Sequence, residues 1–429
     1  MTKAGTIFRE RFTSGHLRFE ELPIRLLGAA LQVLATWSVV HVLAPADAGV
    51  YFRGFVIALG VSALLRGKYE IYMARHIIAQ RASSTGVSNG ALLALLGRRL
   101  LLRSSLLCAV LLVVAADLDI QAPQLQTVLQ TYLPFVLSIP CVSFASLLGE
   151  ALRAANRTLG IVVTTYAVNL SILLSVVLAP PDASLVLYSW AFFLGSMLAA
   201  GIAVSLAWRA FRGCQEGWSR PISPEELRAV DSLELIGLAR GAQLWGPLCV
   251  LSIWAGPLEM AQYAVAARTA MIVDFFLPAL NLTGGDLIFA QGPPPASYNK
   301  LLRQIAAAAF YSCVLVVPML ILAPATLAMY EDPYDSSLTI YALLLGVQWV
   351  NGAGRPAVRF AAAAFDARRI GLVIGLGAVV GVLICSVGVG LYGAMATAGG
   401  SLIGALILNA GAIRLALRGL REDRAPALS

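Results

Sequence analysis

Apolar positions in this chain come in long, nearly unbroken runs, and glycine, proline and charged residues collect in the short gaps between them. A helix that crosses a bilayer needs roughly 20 consecutive apolar residues. Twelve runs meet that length, at roughly 24–43, 51–74, 100–117, 128–150, 159–179, 185–208, 235–255, 259–288, 304–325, 338–363, 370–391 and 393–413. The pattern predicts an all-α polytopic membrane protein of about twelve transmembrane helices.

The gaps test that count. Connections 44–50, 118–127, 180–184, 256–258, 326–337 and 392 contain no Lys or Arg, whereas the alternate connections and both ends are rich in them. Examples are Arg98 and Arg99, Arg153 and Arg157, Arg209 and Arg212, and Arg368 and Arg369. Positive loops stay in the cytoplasm, so the number of spans is even and both termini are expected there. Ala44-Pro45-Ala46 resembles a signal-peptidase site, but the apolar run before it is too long for a signal peptide. The expected non-cytoplasmic loops are all short. The one substantial polar segment, 209–234, reads as a cytoplasmic linker, and Ser223-Pro224-Glu225-Glu226 reads there as the start of a short surface helix.

Two short matches divide the chain. Pro45-x-Asp47-x-Gly49-x-Tyr51 is echoed by Pro257-x-Glu259-x-Ala261-x-Tyr263, at an offset of 212 residues. Asn156-Arg157-Thr158-Leu159-Gly160-Ile161-Val162 is echoed by Ala367-Arg368-Arg369-Ile370-Gly371-Leu372-Val373, at an offset of 211. Each half then holds six spans, so both insert with the same orientation and are related by a pseudo-two-fold axis along the membrane normal. The predicted organisation is an N-terminal six-helix lobe over 1–208, the linker at 209–234, and a C-terminal six-helix lobe over 235–429. Two lobes facing one another enclose a central cavity, which is transporter architecture.

Composition sharpens this picture. The 429 residues are 59% apolar and only 13% charged, with a mean hydropathy of +0.80. A soluble domain carries about 25% charged residues, so that class is excluded. The net charge of +8 comes almost wholly from arginine and is scattered between apolar runs, which argues against nucleic acid as a partner. Six cysteines show no metal-binding spacing; five lie in apolar runs, Cys214 lies in the linker, and all are expected to be reduced.

Several charges fall within the spans. Arg66, Lys68, Arg240, Arg268 and Arg355 are deep basic residues, and Glu70 and Asp274 are the comparably deep acids. Facing lipid, each basic residue at a helix centre would cost about 2.5–3.5 kcal/mol, so these side chains should face a hydrated interior. Gln348, Asn351, Arg355 and Arg359 fall on one helix face, as do Arg25, Gln32 and Thr36, which makes Arg25, Gln32, Gln348 and Asn351 candidate cavity-lining residues. Five bases against two acids leave an excess of positive charge suited to an anion, and the planar guanidinium suits phosphate. Glu70 and Asp274 are candidate proton or cation sites; the alternative for each is an internal salt bridge.

Other motifs carry less. Gly388-x-Gly390-x-x-Gly393 follows no strand and reads as a turn between two membrane helices. The pairs Gly371/Gly375 and Gly377/Gly381 read as close helix contacts. No phosphate loop, metal cluster or hydrolytic dyad is recognisable, so the chain is expected to be neither an ATPase nor another enzyme and to need no cofactor.

Three stretches resemble a known family. Val42-Leu43-Ala44-Pro45-Ala46-Asp47-Ala48-Gly49-Val50-Tyr51 is similar to the turn after the first helix of bacterial polysaccharide and O-antigen (Wzx-like) flippases. These belong to the multidrug/oligosaccharidyl-lipid/polysaccharide (MOP) exporter superfamily. Gln262-Tyr263-Ala264-Val265-Ala266-Ala267-Arg268 resembles their helix-eight motif, and Tyr392-Gly393-Ala394-Met395-Ala396-Thr397-Ala398 their last turn. Leu64-Leu65-Arg66 resembles the helix-two arginine of related lipid II flippases, whose helix-one basic residue has no counterpart here; Gln32 or Thr36 stands nearest. The resemblance implies a flippase that moves undecaprenyl-diphosphate-linked oligosaccharide across the bacterial inner membrane for cell-surface polysaccharide biosynthesis. It would work by alternating access, with the diphosphate in a basic path of Arg66, Lys68, Arg240, Arg268 and Arg355. Expected partners are the lipid-linked oligosaccharide, the bilayer and polysaccharide polymerase or export machinery, with the chain itself a monomer. The rival expectations are a cation-coupled drug exporter of the same fold and a membrane glycosyltransferase or polymerase.

Overall fold

The computed structural model describes residues 22–82, 89–121, 126–155, 157–178, 180, 184–211, 228, 230–231, 233–276, 298–334, 337–364 and 367–422. Among these residues every regular element is helical. The first six are α1 (Leu22–Val42), α2 (Pro45–Ala82), α3 (Asn89–Gln121), α4 (Gln126–Ala155), α5 (Arg157–Leu178) and α6 (Leu185–Phe211). The second half holds α7 (Glu234–Trp254), α8 (Pro257–Ala270), the short α9 (Ile272–Phe276), α10 (Tyr298–Ile321), α11 (Ala323–Ala328), α12 (Leu338–Ala364) and α13 (Ala367–Glu422). The chain is a multi-pass membrane protein: among the described residues eight helices are individually long and apolar enough to cross a bilayer. Their outward faces carry bare leucine, valine and isoleucine, such as Leu194, Val314, Ile253 and Val387, as lipid rather than water demands.

Proline starts both motif helices. Pro45 opens α2 and Pro257 opens α8; the ring pre-sets φ, and the first helical position has no use for the missing N–H. Helix α2 therefore begins six residues before the apolar run marked at 51–74 and ends eight residues after it. At 38 residues it extends about 57 Å, well beyond the hydrocarbon core of about 30 Å. Its polar ends read as loop in the sequence because they leave the lipid, although they never leave the helix.

Helix α13 contains two crossings. Its backbone turns back at Gly393, with φ 52° and ψ −133°, a region that is essentially glycine-only. A Cβ there would also lie 2.8 Å from the Glu259 carboxylate. The glycine run 388–393 is thus the turn expected from the sequence. Small residues then let the two arms close on each other: a Cβ at Gly377 would lie 2.6 Å from the Gly404 carbonyl oxygen, and one at Gly381 2.9 Å from that of Gly400.

Helix contacts repeat between the halves. Helix α1 lies against α5 as α7 lies against α13, α2 against α4 as α8 against α12, and α3 against α4 as α10 against α12. Between the halves α2 meets α7 while α8 meets α1, the reciprocal pairing expected of a two-fold relation. The two Pro-x-acid motifs meet: a Cβ at Gly49 would fall 1.7 Å from the Pro257 carbonyl oxygen, so the close approach leaves no room for a side chain. Tyr51 and Tyr263, the last residues of the two motifs, are both buried. Around Tyr51 an edge-to-face aromatic core forms with Phe52, Phe135 and Phe192, continuous with Tyr263 and Val265 of α8.

Cys108, Cys141, Cys249, Cys313 and Cys385 are free thiols; Cys214 lies outside the described residues, as do the expected surface helix at Ser223–Glu226 and most of the 209–234 linker. The same holds for the latter part of the run at 259–288, since the description stops at Phe276.

Candidate functional site

Arg268 stands where α8 crosses α1. It is 7% exposed. Its Nε donates to Thr36 Oγ1 at 2.7 Å and its NH2 to Asn169 Oδ1 at 2.6 Å. The guanidinium carbon lies 5.1 Å from the centroid of the Phe55 ring. Gln32 Nε2 donates to the Arg268 carbonyl oxygen, and Thr36 donates back to the Gln32 carbonyl at 2.8 Å. Among the described residues no carboxylate pairs with Arg268. Its hydrogen-bond acceptors are a hydroxyl and an amide, and no carboxylate among the described residues compensates its charge.

Further along the same seam the charges do pair. Arg355 NH2 on α12 lies 3.2 Å from Asp274 Oδ1 on α9. Arg25 NH1 donates to the Phe275 carbonyl at 3.3 Å and is buried rather than reaching for an interface. Asn351 Oδ1 accepts from Asn409 Nδ2 at 3.1 Å. Gln348 is buried with its Oε1 unpartnered among the described residues. Arg25, Gln32, Arg268, Asp274 and Arg355 therefore gather along α8 and α9, the segment between α1 and α12.

Arg66 and Lys68 fall in a second group, toward the other end of α2. Arg66 Nε lies 2.6 Å from Glu70 Oε1, and its NH1 donates to Ser62 Oγ at 2.8 Å. Glu150 on α4 pairs with Arg153 at 3.1 Å and lies within electrostatic reach of Glu70, Arg240 and Arg66. Lys68 is buried and crosses to the second half, with Nζ 2.8 Å from Asp231 Oδ1 and 2.5 Å from Glu234 Oε2. The Lys68 hydrogen bond holds the Asp231 carboxyl below the usual range. Close backbones make this bridge possible: a Cβ at Gly67 would lie 2.8 Å from Gly237 Cα.

The count of five deep bases against two deep acids is thus corrected at Lys68, which finds two further acids, while Arg66 and Arg355 take the two already counted, in the salt bridges named as their alternative. Arg66, Lys68 and Arg355 each hold a carboxylate. The acids omitted from the sequence count, Asp231 and Glu234, sit at the polar start of α7, where hydropathy assigns them to water. Asn169 was also missed, because one amide in an apolar run carries no charge signal. Among the described residues no group of three His, Cys, Asp or Glu side chains could hold a metal.

With this geometry in hand, solved structures supply the comparison. An inward-facing multidrug resistance MATE family transporter of the MOP superfamily matches at a TM-score of 0.64 and 14% identity, over 92% of this chain and 95% of that one. A MATE in complex with MaL6 matches at a TM-score of 0.64 and 15% identity, over 100% of both chains. The chain has the MATE fold. A third MATE-fold neighbour is a MOP superfamily transporter from Pyrococcus furiosus, for which a reversed polarity of the binding pocket suggests a different function; it matches at a TM-score of 0.60 and 14% identity, over 99% and 98%. No family model and no curated protein matches this MATE-fold sequence.

Proposed function

We propose that this MATE-fold protein is a flippase that carries undecaprenyl-diphosphate-linked oligosaccharide from the cytoplasmic to the outer leaflet of the bacterial inner membrane for cell-surface polysaccharide biosynthesis. The observation that carries the reading is Arg268: a buried guanidinium at the contact between the halves, satisfied by neutral Thr36 and Asn169 and faced by no carboxylate among the described residues. An uncompensated charge inside a membrane protein is costly and marks a substrate path, and a guanidinium is matched by phosphate oxygens. Arg240 belongs to the same proposed path, and Arg66, Lys68 and Arg355 join it when their ion pairs open. Glu70 and Asp274, now each in an ion pair, are the proposed coupling acids. The protein acts as a transporter rather than an enzyme, as a monomer with both termini cytoplasmic, alongside polysaccharide polymerase or export machinery.

Leaflet accumulation of the lipid-linked intermediate in a deletion strain tests the reading. Wild type is expected to clear the cytoplasmic-face pool, whereas Arg268→Ala leaves it in place although the protein inserts normally, and Arg268→Lys rescues only in part because it lacks the planar fork. Full clearance by Arg268→Ala would overturn the assignment. The second reading, a cation-coupled drug exporter, is favoured by the multidrug transporters that share the fold; it predicts drug resistance on overexpression and no leaflet phenotype.

A further inference from the structure

Among the described residues, both polar partners of the Arg268 guanidinium come from the other half of the chain. Thr36 is on α1 and Asn169 on α5, while the guanidinium lies over the Phe55 ring of α2. One side chain therefore ties three helices of the first half to α8 of the second. The ties are of a particular kind: both acceptors are neutral, so they satisfy geometry and leave the positive charge without a counter-ion among the described residues. A phosphate offers the same N–H groups a bidentate, fully charged acceptor, which makes roughly twice as strong a bond. The Gln32 bond goes to the Arg268 backbone carbonyl and does not compete for the guanidinium.

We infer that Asn169 and Thr36 form a neutral seat that holds Arg268 until an anionic diphosphate takes its guanidinium, so that anion arrival and release of the seam between the halves are a single event. This rests on the reading of Arg268 as the anion contact and deepens it. Asn169 is a positioning residue whose neutrality sets the threshold for release. An aspartate at 169 would supply a permanent counter-ion and keep the guanidinium seated against an incoming phosphate.

Spin labels on cysteines placed at the exposed Ala46 and Leu258, at the starts of α2 and α8 in a cysteine-free background, report the seam by electron–electron distance in lipid nanodiscs. The probe is undecaprenyl diphosphate, with uncharged undecaprenol as control, and binding is followed separately by thermal shift. In wild type the diphosphate, and not the alcohol, shifts the distance distribution. Asn169→Asp is expected to require at least about tenfold more diphosphate for the same shift. Thr36→Val and Asn169→Leu populate the shifted distances with no lipid added; either variant suffices if the other does not fold. A wild-type response in Asn169→Asp overturns the seat while binding leaves the anion reading standing. Neither binding nor shift in wild type overturns the anion reading itself, and the seat with it.

Discussion

Replacing Lys68 by methionine, and separately replacing both Asp231 and Glu234 by alanine, removes the same two ion pairs from opposite sides. The structure makes the costs unequal. Lys68 is 3% exposed, whereas Asp231 and Glu234 are 59% and 47% exposed. In Lys68→Met the freed carboxylates turn to water, and the thioether refills the volume of the lysine stem. Half-exposed pairs are worth about 0–1 kcal/mol, so the loss stays near that figure. In the double alanine variant the ammonium remains buried at the contact of Gly67 with Gly237. Among the described residues it retains the Tyr69 ring 5.5 Å away, worth about 0.5–1 kcal/mol. Stranding a buried charge costs about 3–5 kcal/mol. Thermal unfolding in one detergent, followed by a thiol-reactive dye in a background whose other four cysteines are replaced so that it reaches the buried Cys108 and Cys385 only on opening, ranks the variants. The double variant should melt well below Lys68→Met. Equal losses, or a larger loss in Lys68→Met, would refute the assignment of Lys68 as a buried charge held by water-facing acids.

The same pair has a pH signature. The Asp231 carboxyl is held below its usual range by the Lys68 hydrogen bond, so its contribution is complete above the unfolded value of about 3.9 and is lost as pH falls through the lowered one. Wild-type melting temperature should therefore drop more steeply with acid than that of Lys68→Met, and parallel curves would contradict this. Gly393→Ala should lose about 1–3 kcal/mol from the backbone conformation alone, with a further penalty from the Glu259 carboxylate; the same dye assay measures it, and an unchanged melting temperature would remove Gly393 as the turn.

Much of the architecture was legible in the sequence because lipid is a severe solvent. It tolerates only helices with satisfied backbones, and only apolar faces toward it, so hydropathy by itself marked the crossings and the absence of strands. The repeated Pro-x-acid-x-small-x-Tyr motif announced two related halves, and the structure shows why its residues recur: proline starts α2 and α8, and the small residue at 49 admits the carbonyl of Pro257. The turn at Gly393 was likewise local, since its conformation excludes side chains whatever surrounds it. Helix boundaries were less legible, because α2 continues past the lipid on residues that hydropathy reads as loop.

What only the tertiary structure decided is the counter-charge of each deep base. Arg66 finds Glu70 four residues away on its own helix, and that pair was visible as spacing. Lys68 finds Asp231 and Glu234 across more than 160 residues, and Arg355 finds Asp274 across 81. Among the described residues Arg268 finds two neutral hydrogen-bond partners, Thr36 and Asn169, and the Phe55 ring. Burial cost is a property of one residue in its own segment, so a sequence reports it. Compensation is a property of two groups within a few ångströms, and the approach of α2 to α7 and of α8 to α1 determines which bases meet a carboxylate and leaves Arg268 facing none among the described residues.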